Sequence, residues 1–438
     1  MSTDESTVDG DRVARKITLR LVVPLLVLLL LNSIDRVNMS FAALQMNADL
    51  GLTPKTYGLA VSLFFVGYIL LQMPSIWLLQ RIGMRRWVFA IAMLWGVAAT
   101  AMALVQSKEQ LYLLRIIIGV AEGGYAPGLV WYLSHWMPAR YRASAIGIVM
   151  LAVPISVIAG APLSGWLMSG ENALGWPGWR WMFLVEGLPT VILAAAALKL
   201  FVNAPSDATW LTIAERRWLK VQLLDEQTTH SRSVSNGALL GVGRLWLAAL
   251  GWFALMTGAY GVIYWLPLVI KQVSASSTNM EVILLSALPW IAVGVGMVVN
   301  SRHSDRTKER RLHVSLATLA TGVCLGLAAL SGANAWALVF LILAGLCMGG
   351  GHSTFWTVPP TFLSAATAAS GIAVINMCGN VAGLVGPAYI GWIRERTGSF
   401  TLPVFAMAAV LLIGGTSLLL IRSRPHSVAS KAAMSPAS

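Results

Sequence analysis

Residues 18–42 read TLRLVVPLLVLLLLNSIDRVNMSFA: an aliphatic run carrying one proline, Pro24, that passes into Asn32-Ser33-Ile34-Asp35-Arg36. About 20 mainly apolar residues, rising 1.5 Å each, cross roughly 30 Å of hydrocarbon. This stretch is therefore long enough to span a bilayer, and it takes Asp35 and Arg36 in with it. Eleven further runs of similar length follow, at 57–80, 86–105, 110–136, 143–168 and 180–202, then at 244–270, 281–301, 312–331, 335–361, 368–393 and 401–421. Charged residues make up 11% of the 438 and hydrophobic ones 57%. A soluble domain carries roughly 25% charge, so composition and run length agree on an all-α membrane protein of twelve helices. Pro74, Pro127, Pro154, Pro162, Pro289 and Pro387 fall inside the runs, where packed membrane helices tolerate them.

The formal net charge of +13 does not describe a nucleic-acid surface, because the basic residues lie in short loops rather than on a face with interleaved aromatics. With both termini cytoplasmic, only Lys55, Lys108, Arg180, Lys271, Arg394 and Arg396 fall on the opposite side, and only Arg36 and Arg115 lie within spans. This asymmetry orients the chain by the positive-inside rule and places it in the cytoplasmic (inner) membrane. The expected organisation is a cytoplasmic tail 1–17, a six-helix bundle 18–202, a linker 203–243, a second bundle 244–421 and a tail 422–438. Met1 to Asp11 lacks the basic start of a cleavable leader. Within the linker, Thr212 and Glu215 have the spacing of a capping box, opening a short amphipathic helix expected to lie on the anionic leaflet. Cys324, Cys347 and Cys378 lie inside apolar runs without metal-ligand spacing and read as packing residues. Most tryptophans are expected at lipid-facing or interfacial positions. Asn38-Met39-Ser40 matches a glycosylation sequon but lies in a span, so it is discounted.

The two halves repeat. One constant offset lays Gln80-Arg81 on Asp305-Arg306, Arg85-Arg86 on Arg310-Arg311, Trp131 on Trp356 and Pro162 on Pro387. Parallel six-helix repeats of this kind place a substrate site between them near the membrane midplane. The pattern describes a two-bundle carrier.

On these residues the chain resembles the major facilitator superfamily: six plus six spans, with Arg81-Ile82-Gly83-Met84-Arg85-Arg86 and Ser304-Asp305-Arg306 in equivalent loops. Asn32-Ser33-Ile34-Asp35-Arg36-Val37-Asn38, Gly67-Tyr68, Leu114-Arg115, Gly119-Val120-Ala121-Glu122-Gly123 and Phe183-Leu184-Val185-Glu186-Gly187-Leu188-Pro189 resemble its anion:cation symporter branch. The resemblance covers roughly residues 15–422. Gln80 replaces the motif's acid in the first loop, which Asp305 retains in the second, and Ser33 stands where sugar-acid carriers often have tyrosine. The resemblance implies two pseudo-symmetric bundles and proton-coupled uptake of a small organic anion such as a sugar acid, tartrate or an aromatic carboxylate. It implies a monomer in the lipid bilayer, with the proton gradient as driving force and no cofactor. Loop residues Arg81, Gly83, Arg85, Arg86, Asp305, Arg306 and Arg310 would gate the conformational change.

Ionisable groups inside spans cost about 2.5–3.5 kcal/mol on insertion scales and so face cavities or partners. Asp35 and Arg36 are about 100° apart on their helix, while Arg115 and Glu122 share a face about 10.5 Å apart along the axis, so the latter two are expected to pair with other helices. The resemblance assigns Arg36 as carboxylate anchor, a role suited to its planar fork, with Asp35 and Glu122 as protonation sites and Arg115 as their electrostatic partner. The alternative for these four is permanent helix-holding ion pairs. Glu186, near Arg180, reads as interhelical or end-of-helix pairing. Tyr68, Tyr260, Tyr264, Ser353, Thr354 and Trp356 are candidate substrate contacts, with packing the alternative. Asn376 and Asn380, four apart, share a face; Asn376 is the better substrate contact and Asn380 the better interhelical bond. His352 reads as structural. No His-Glu-x-x-His, Gly-x-Ser-x-Gly or phosphate loop occurs, so neither an enzyme nor an ATP-driven pump is expected. A proton-driven efflux carrier and a sensor on a carrier scaffold are the remaining alternatives.

Overall fold

The computed structural model describes residues 8–170, 175–228, 241–332, 334–363 and 365–421. The described residues are helical throughout, with no strand, and include 12 helices long and apolar enough to cross a membrane. In order these spans are Gly10–Asp49, Pro54–Ile82, Met84–Leu104, Lys108–Ser134, Ala139–Ser169, Gly178–Leu200, Gly243–Val273, Asn279–Thr307, Arg311–Leu330, Ala335–Thr361, Ser370–Thr397 and Thr401–Leu419. Most run longer than the apolar stretches that mark them, because polar caps extend the helices past the hydrocarbon. Span 1 begins at Gly10 rather than Thr18, since the Asp9 carboxylate accepts hydrogen bonds from the Asp11 and Arg12 backbone N–H groups. The expected tail 1–17 is thus helical from Gly10 on, while residues 1–7 and the tail 422–438 lie outside the described residues.

Span 4 breaks at Gly123-Gly124 into Lys108–Glu122 and Tyr125–Ser134. Pro127 has no N–H to return to the carbonyl of Gly123, so the ladder opens there. Pro154 does the same for Met150, and span 5 divides into Ala139–Met150 and Ala152–Ser169.

Helix pairing repeats between the halves. Spans 1·5, 1·6, 2·4 and 3·6 pack together in the first half, as do 7·11, 7·12, 8·10 and 9·12 in the second. Three pairs join the halves, 1·7, 2·11 and 5·8, and the repeat maps this set onto itself. The loop turns also match. Gly83 has φ 77°, which glycine adopts without penalty, and the equivalent residue Lys308 holds a left-handed φ of 55°.

An even number of spans returns both termini to one face. The hydrogen bonds between the halves among the described residues lie toward the other face. There the Thr53 hydroxyl and Lys55 N–H donate to Glu395 at 2.6 and 2.9 Å. The Ala388 N–H donates to the Ser62 hydroxyl, and the Tyr57 hydroxyl to the Tyr264 carbonyl at 2.8 Å. The bundles are clasped at the end away from the termini.

On the terminal face the Thr212–Glu215 capping box forms, with bonds of 2.9 and 3.2 Å. Its helix, Ile213–Thr228, does not simply rest on a leaflet as expected. Glu215 takes a 2.6 Å bond from Lys16, Trp218 packs beside Gly10, and Leu219 is buried. Docking wins because one turn of the amphipathic helix finds both an apolar and a charged partner on span 1's extension, while Ile213, Val221 and Leu224 stay exposed. Of the 18 tryptophans, six are buried in helix interfaces. Trp87, Trp95, Trp136 and Trp179 are fully buried, Trp252 and Trp265 nearly so, and only Trp77, Trp166, Trp246, Trp336 and Trp392 are strongly exposed. Large rings here fill helix interfaces opened by small neighbours, as where the Trp87 ring lies against Gly128.

Candidate functional site

Span 1 carries Asp35 and Arg36 to the interior, and the angle between successive helix positions sends them to different partners. The Arg36 Nε donates to Glu122 Oε2 of span 4 at 3.0 Å. Asp35 Oδ2 accepts a 2.6 Å hydrogen bond from the Trp95 indole of span 3. The Glu122 side chain is 1% exposed, whereas that of Arg36 is 26% exposed. Among the described residues neither Nη group of Arg36 has a hydrogen-bond partner. One edge of the guanidinium is therefore anchored by a carboxylate, and the other is presented.

Arg115 makes no direct ion pair among the described residues. Its Nε donates to the Ala60 carbonyl at 3.4 Å and its guanidinium lies 4.8 Å from the centre of the Phe64 ring. Glu122 and Asp35 are within its electrostatic reach but not in contact with it. Arg115 and Glu122 lie two turns apart in the same helix, Lys108–Glu122, and at those two depths they meet different neighbours, span 2 for Arg115 and span 1 for Glu122. Glu186 is also reassigned. Arg180 binds Asp49 at 3.3 Å and the Ala103 carbonyl at 2.9 Å, and Glu186 instead accepts from the Ser164 hydroxyl at 2.9 Å.

Aromatic rings frame the presented side of Arg36. Its guanidinium carbon lies 5.1 Å from the Tyr68 ring centre and 5.4 Å from that of Phe64, within cation–π range. Tyr260 of span 7 meets Phe65 of span 2 at 4.6 Å and stacks on Tyr264. Spans 1, 2, 4 and 7 thus bring Arg36, Glu122, Arg115, Tyr68, Tyr260 and Tyr264 into one cluster across the halves.

The remaining candidates lie apart from that cluster. On span 11, Gly383 packs against the Phe65 ring. Asn380 and Asn376, three and seven residues earlier, continue the same helix face toward the terminal end. Asn380 is buried with its Nδ2 unpartnered, and Asn376 is half-buried. Trp356 packs 4.7 Å from Trp252, which also meets His352. Ser353 bonds the Gly350 carbonyl of its own helix. Thr354 is 1% exposed and shares the Gly350 carbonyl and Asn300, so its hydroxyl faces the interface of spans 8 and 10.

In the loops, Arg310 pairs with Asp305 at 2.5 Å and also reaches Ser304, while Arg311 donates to the Ile421 carbonyl. The first half has Gln80 in place of the acid, and its loop is tied differently. The Arg85 N–H donates to Asn203 at 3.1 Å, and Arg81 lies over the Trp77 ring. Arg86 is exposed, and Arg306 closes the last turn of span 8. Sequence reading missed Trp95, Ser164, Phe64 and Phe65. A tryptophan in the middle of a span, away from the interfaces where tryptophan usually anchors, was the available signal for Trp95.

The Major Facilitator Superfamily model matches residues 25–387, and the chain belongs to that family. It is a multi-pass membrane transporter. A putative tartrate transporter of Agrobacterium vitis is 40% identical over 96% of this chain and 94% of its own length. A quinolone resistance transporter of Acinetobacter baumannii is 35% identical over 92% of this chain and 93% of its own. The crystal structure of a bacterial homolog of the human lysosomal transporter Spinster, inward-facing and occupied, superposes with a TM-score of 0.74 at 17% identity, covering 91% of this chain and 96% of that one. These relatives are transporters rather than enzymes.

Proposed function

We propose that this protein takes up a small organic carboxylate together with protons, by alternating access, with both termini in the cytoplasm. The observation that carries the reading is Arg36: held through Nε by a buried carboxylate, ringed by Tyr68 and Phe64, and offering its unpartnered Nη edge. That edge matches the two oxygens of a carboxylate. The relative named for tartrate supports the same substrate class.

Coupling follows from charge. Asp35, Arg36, Glu122 and Arg115 sum to zero when all are ionised, and one proton on either carboxylate makes the cluster cationic. A cationic cluster welcomes an anion, and a bound anion favours the proton in turn. Linkage requires the two effects to be equal. Loss of the proton to a more alkaline cytoplasm then weakens the hold on the anion. Tyr260, Tyr264, Asn376 and Asn380 would complete the site from the second half, with Ser353 and Trp356 on the path toward the terminal face; Thr354, turned into the interface of spans 8 and 10, would not take part. Asp305–Arg310 and the Arg81–Arg86 loop would set the inward gate. In this orientation the clasp at Glu395 closes the outer side, and the positive-inside bias supports that assignment.

Labelled tartrate supplied to proteoliposomes tests the reading. Accumulation driven by an acidic exterior, with proton entry, is the expected result, and Asp35→Asn or Arg36→Ala abolishes it while the protein still inserts. The relative named for quinolone resistance favours a second reading, proton-driven efflux. Export of a drug in exchange for protons, with no acid-driven tartrate entry, would replace the first reading with the second.

A further inference from the structure

Outward of the Asp35–Arg36–Glu122 cluster lies a carboxylate that the uptake scheme does not use. Glu186 on span 6 is 4% exposed, and no cation pairs with it among the described residues. One oxygen accepts from the Ser164 hydroxyl, and the other, Oε2, has no partner. An ionised carboxylate in that setting would lack both a counter-charge and half its hydrogen bonds, a cost of several kcal/mol that proteins avoid by keeping the group neutral. Glu186 therefore holds a proton in this conformation.

Its neighbours say where the proton can go. Spans 1 and 6 run antiparallel, and the Trp179 backbone N–H fixes their register by donating to the Gln45 side chain. Seven residues further along span 6, Glu186 comes level with Asn38 on span 1, one turn outward of Asp35. The Asn38 amide lies within hydrogen-bonding reach of Glu186, though neither of its polar atoms makes a bond of full hydrogen-bond geometry among the described residues. Thr190, one turn inward on span 6, is fully buried with its hydroxyl also unpartnered, and it packs at Gly96 beside Trp95, the donor to Asp35. Unpartnered buried polar atoms in a row are stable where water serves them.

The charged groups around this row are few. Span 1 brings Asp35 toward Glu186, directs Arg36 to Glu122, and keeps Asp49 with Arg180 at the outer end. Span 5 brings Ser164, and its Arg140 and Arg142 lie at the terminal face. Span 3 brings Thr100 to Gly187, with Arg85 and Arg86 likewise at the terminal face.

From this arrangement we infer that Glu186 is the outer proton donor to Asp35: its carboxyl O–H breaks, the proton passes along water held by Asn38 and Thr190, and an O–H forms on the Asp35 carboxylate. Glu186 is refilled from outside, and net charge within the row is unchanged by the transfer. The inference rests on the proton-coupled reading above.

Two measurements on purified protein in lipid test it. Infrared spectra, which need no substrate, are expected to show a buried protonated-carboxyl band that Glu186→Gln removes; an unchanged spectrum overturns the inference. In proteoliposomes, Glu186→Gln keeps the Ser164 bond and the neutral shape, so tartrate counterflow without a pH gradient is expected to stay near wild type. Acid-driven accumulation is expected to fall at least tenfold. Accumulation at the wild-type level, or equal loss of both activities, overturns it. Should that variant fail to fold, Ser164→Ala removes a donor to the ionised form and is expected to move the pH profile of accumulation about one unit upward; an unmoved profile overturns the inference. Wild-type protein with no acid-driven uptake would defeat the proposed function instead, leaving the infrared result to judge Glu186.

Discussion

Neutralising the Arg36–Glu122 pair one partner at a time, and then both together, separates a substrate site from a structural brace. Charges about 4 Å apart attract by about 4 kcal/mol at an effective dielectric of about 20. Removing one member of a buried pair strands the other and costs about 3–5 kcal/mol. Arg36 is partly exposed, which places Arg36→Met near the lower figure, about 3 kcal/mol. Replacing both partners leaves nothing stranded, so Arg36→Met/Glu122→Gln is expected within about 1 kcal/mol of wild type, far from the sum of the two single costs, as groups in direct contact are not additive. Binding behaves differently. A carboxylate gripped by the presented edge gains two charge-assisted hydrogen bonds of about 1.5–3 kcal/mol each, so without Arg36 affinity falls about 10²–10⁴-fold. Thermal melts of the purified variants report stability, and tartrate counterflow reports the site. The expected outcome is a double variant that melts like wild type and does not transport. A double variant that restores both would show the pair to be a brace between spans 1 and 4, and the substrate reading would fail.

Three further outcomes follow from local geometry. At Gly119 an added Cβ would strike the Phe64 carbonyl and crowd the Tyr68 N–H, so Gly119→Ala should lower stability by about 1–3 kcal/mol and show as an earlier melt with reduced uptake. Lys308 holds a left-handed backbone where the first half has glycine, so Lys308→Gly should raise stability by about 0.4–1 kcal/mol, seen as a small rise in melting temperature. At the terminal face, burial pushes the Glu215 carboxyl up, but the Lys16 ammonium and Thr212 together hold it below the usual carboxylate range. A depressed carboxyl stabilises the docked linker helix above its undocked range near pH 4.3. That stability is lost as pH falls further, so protection factors from hydrogen exchange over 213–224, taken against the intrinsic rate at each pH, should fall in acid, and should not in Glu215→Gln.

Much of this architecture was legible in one dimension because the bilayer leaves few choices. A run such as 18–42 can satisfy its backbone in hydrocarbon only as a helix, and the constant offset between Arg81 and Arg306 or Pro162 and Pro387 can arise only from a repeated bundle. The ionisable residues announced themselves for the same reason: Asp35, Arg36, Arg115, Glu122 and Glu186 are too costly inside a span to be incidental. Partner choice was not legible. Arg115 and Glu122 share a heptad spacing on one helix, yet Glu122 meets Arg36 of span 1 while Arg115 rests on a span 2 carbonyl and ring. Glu186 and Arg180 are close in sequence, but Asp49 claims the arginine across helices.

The order of residues alone determined that this chain is a twelve-span, two-bundle membrane protein and which side chains are too polar for lipid. Hydrophobic thickness and helical period act along the chain, so a linear reading captures them. Tertiary structure decided which charge meets which, that Trp95 serves Asp35, that Glu186 has no cation, and that the clasp at Glu395 holds one end shut. Those outcomes depend on the depth and rotation of each helix against its neighbours. Packing sets both, and a sequence of helix-long segments does not encode them in any local pattern.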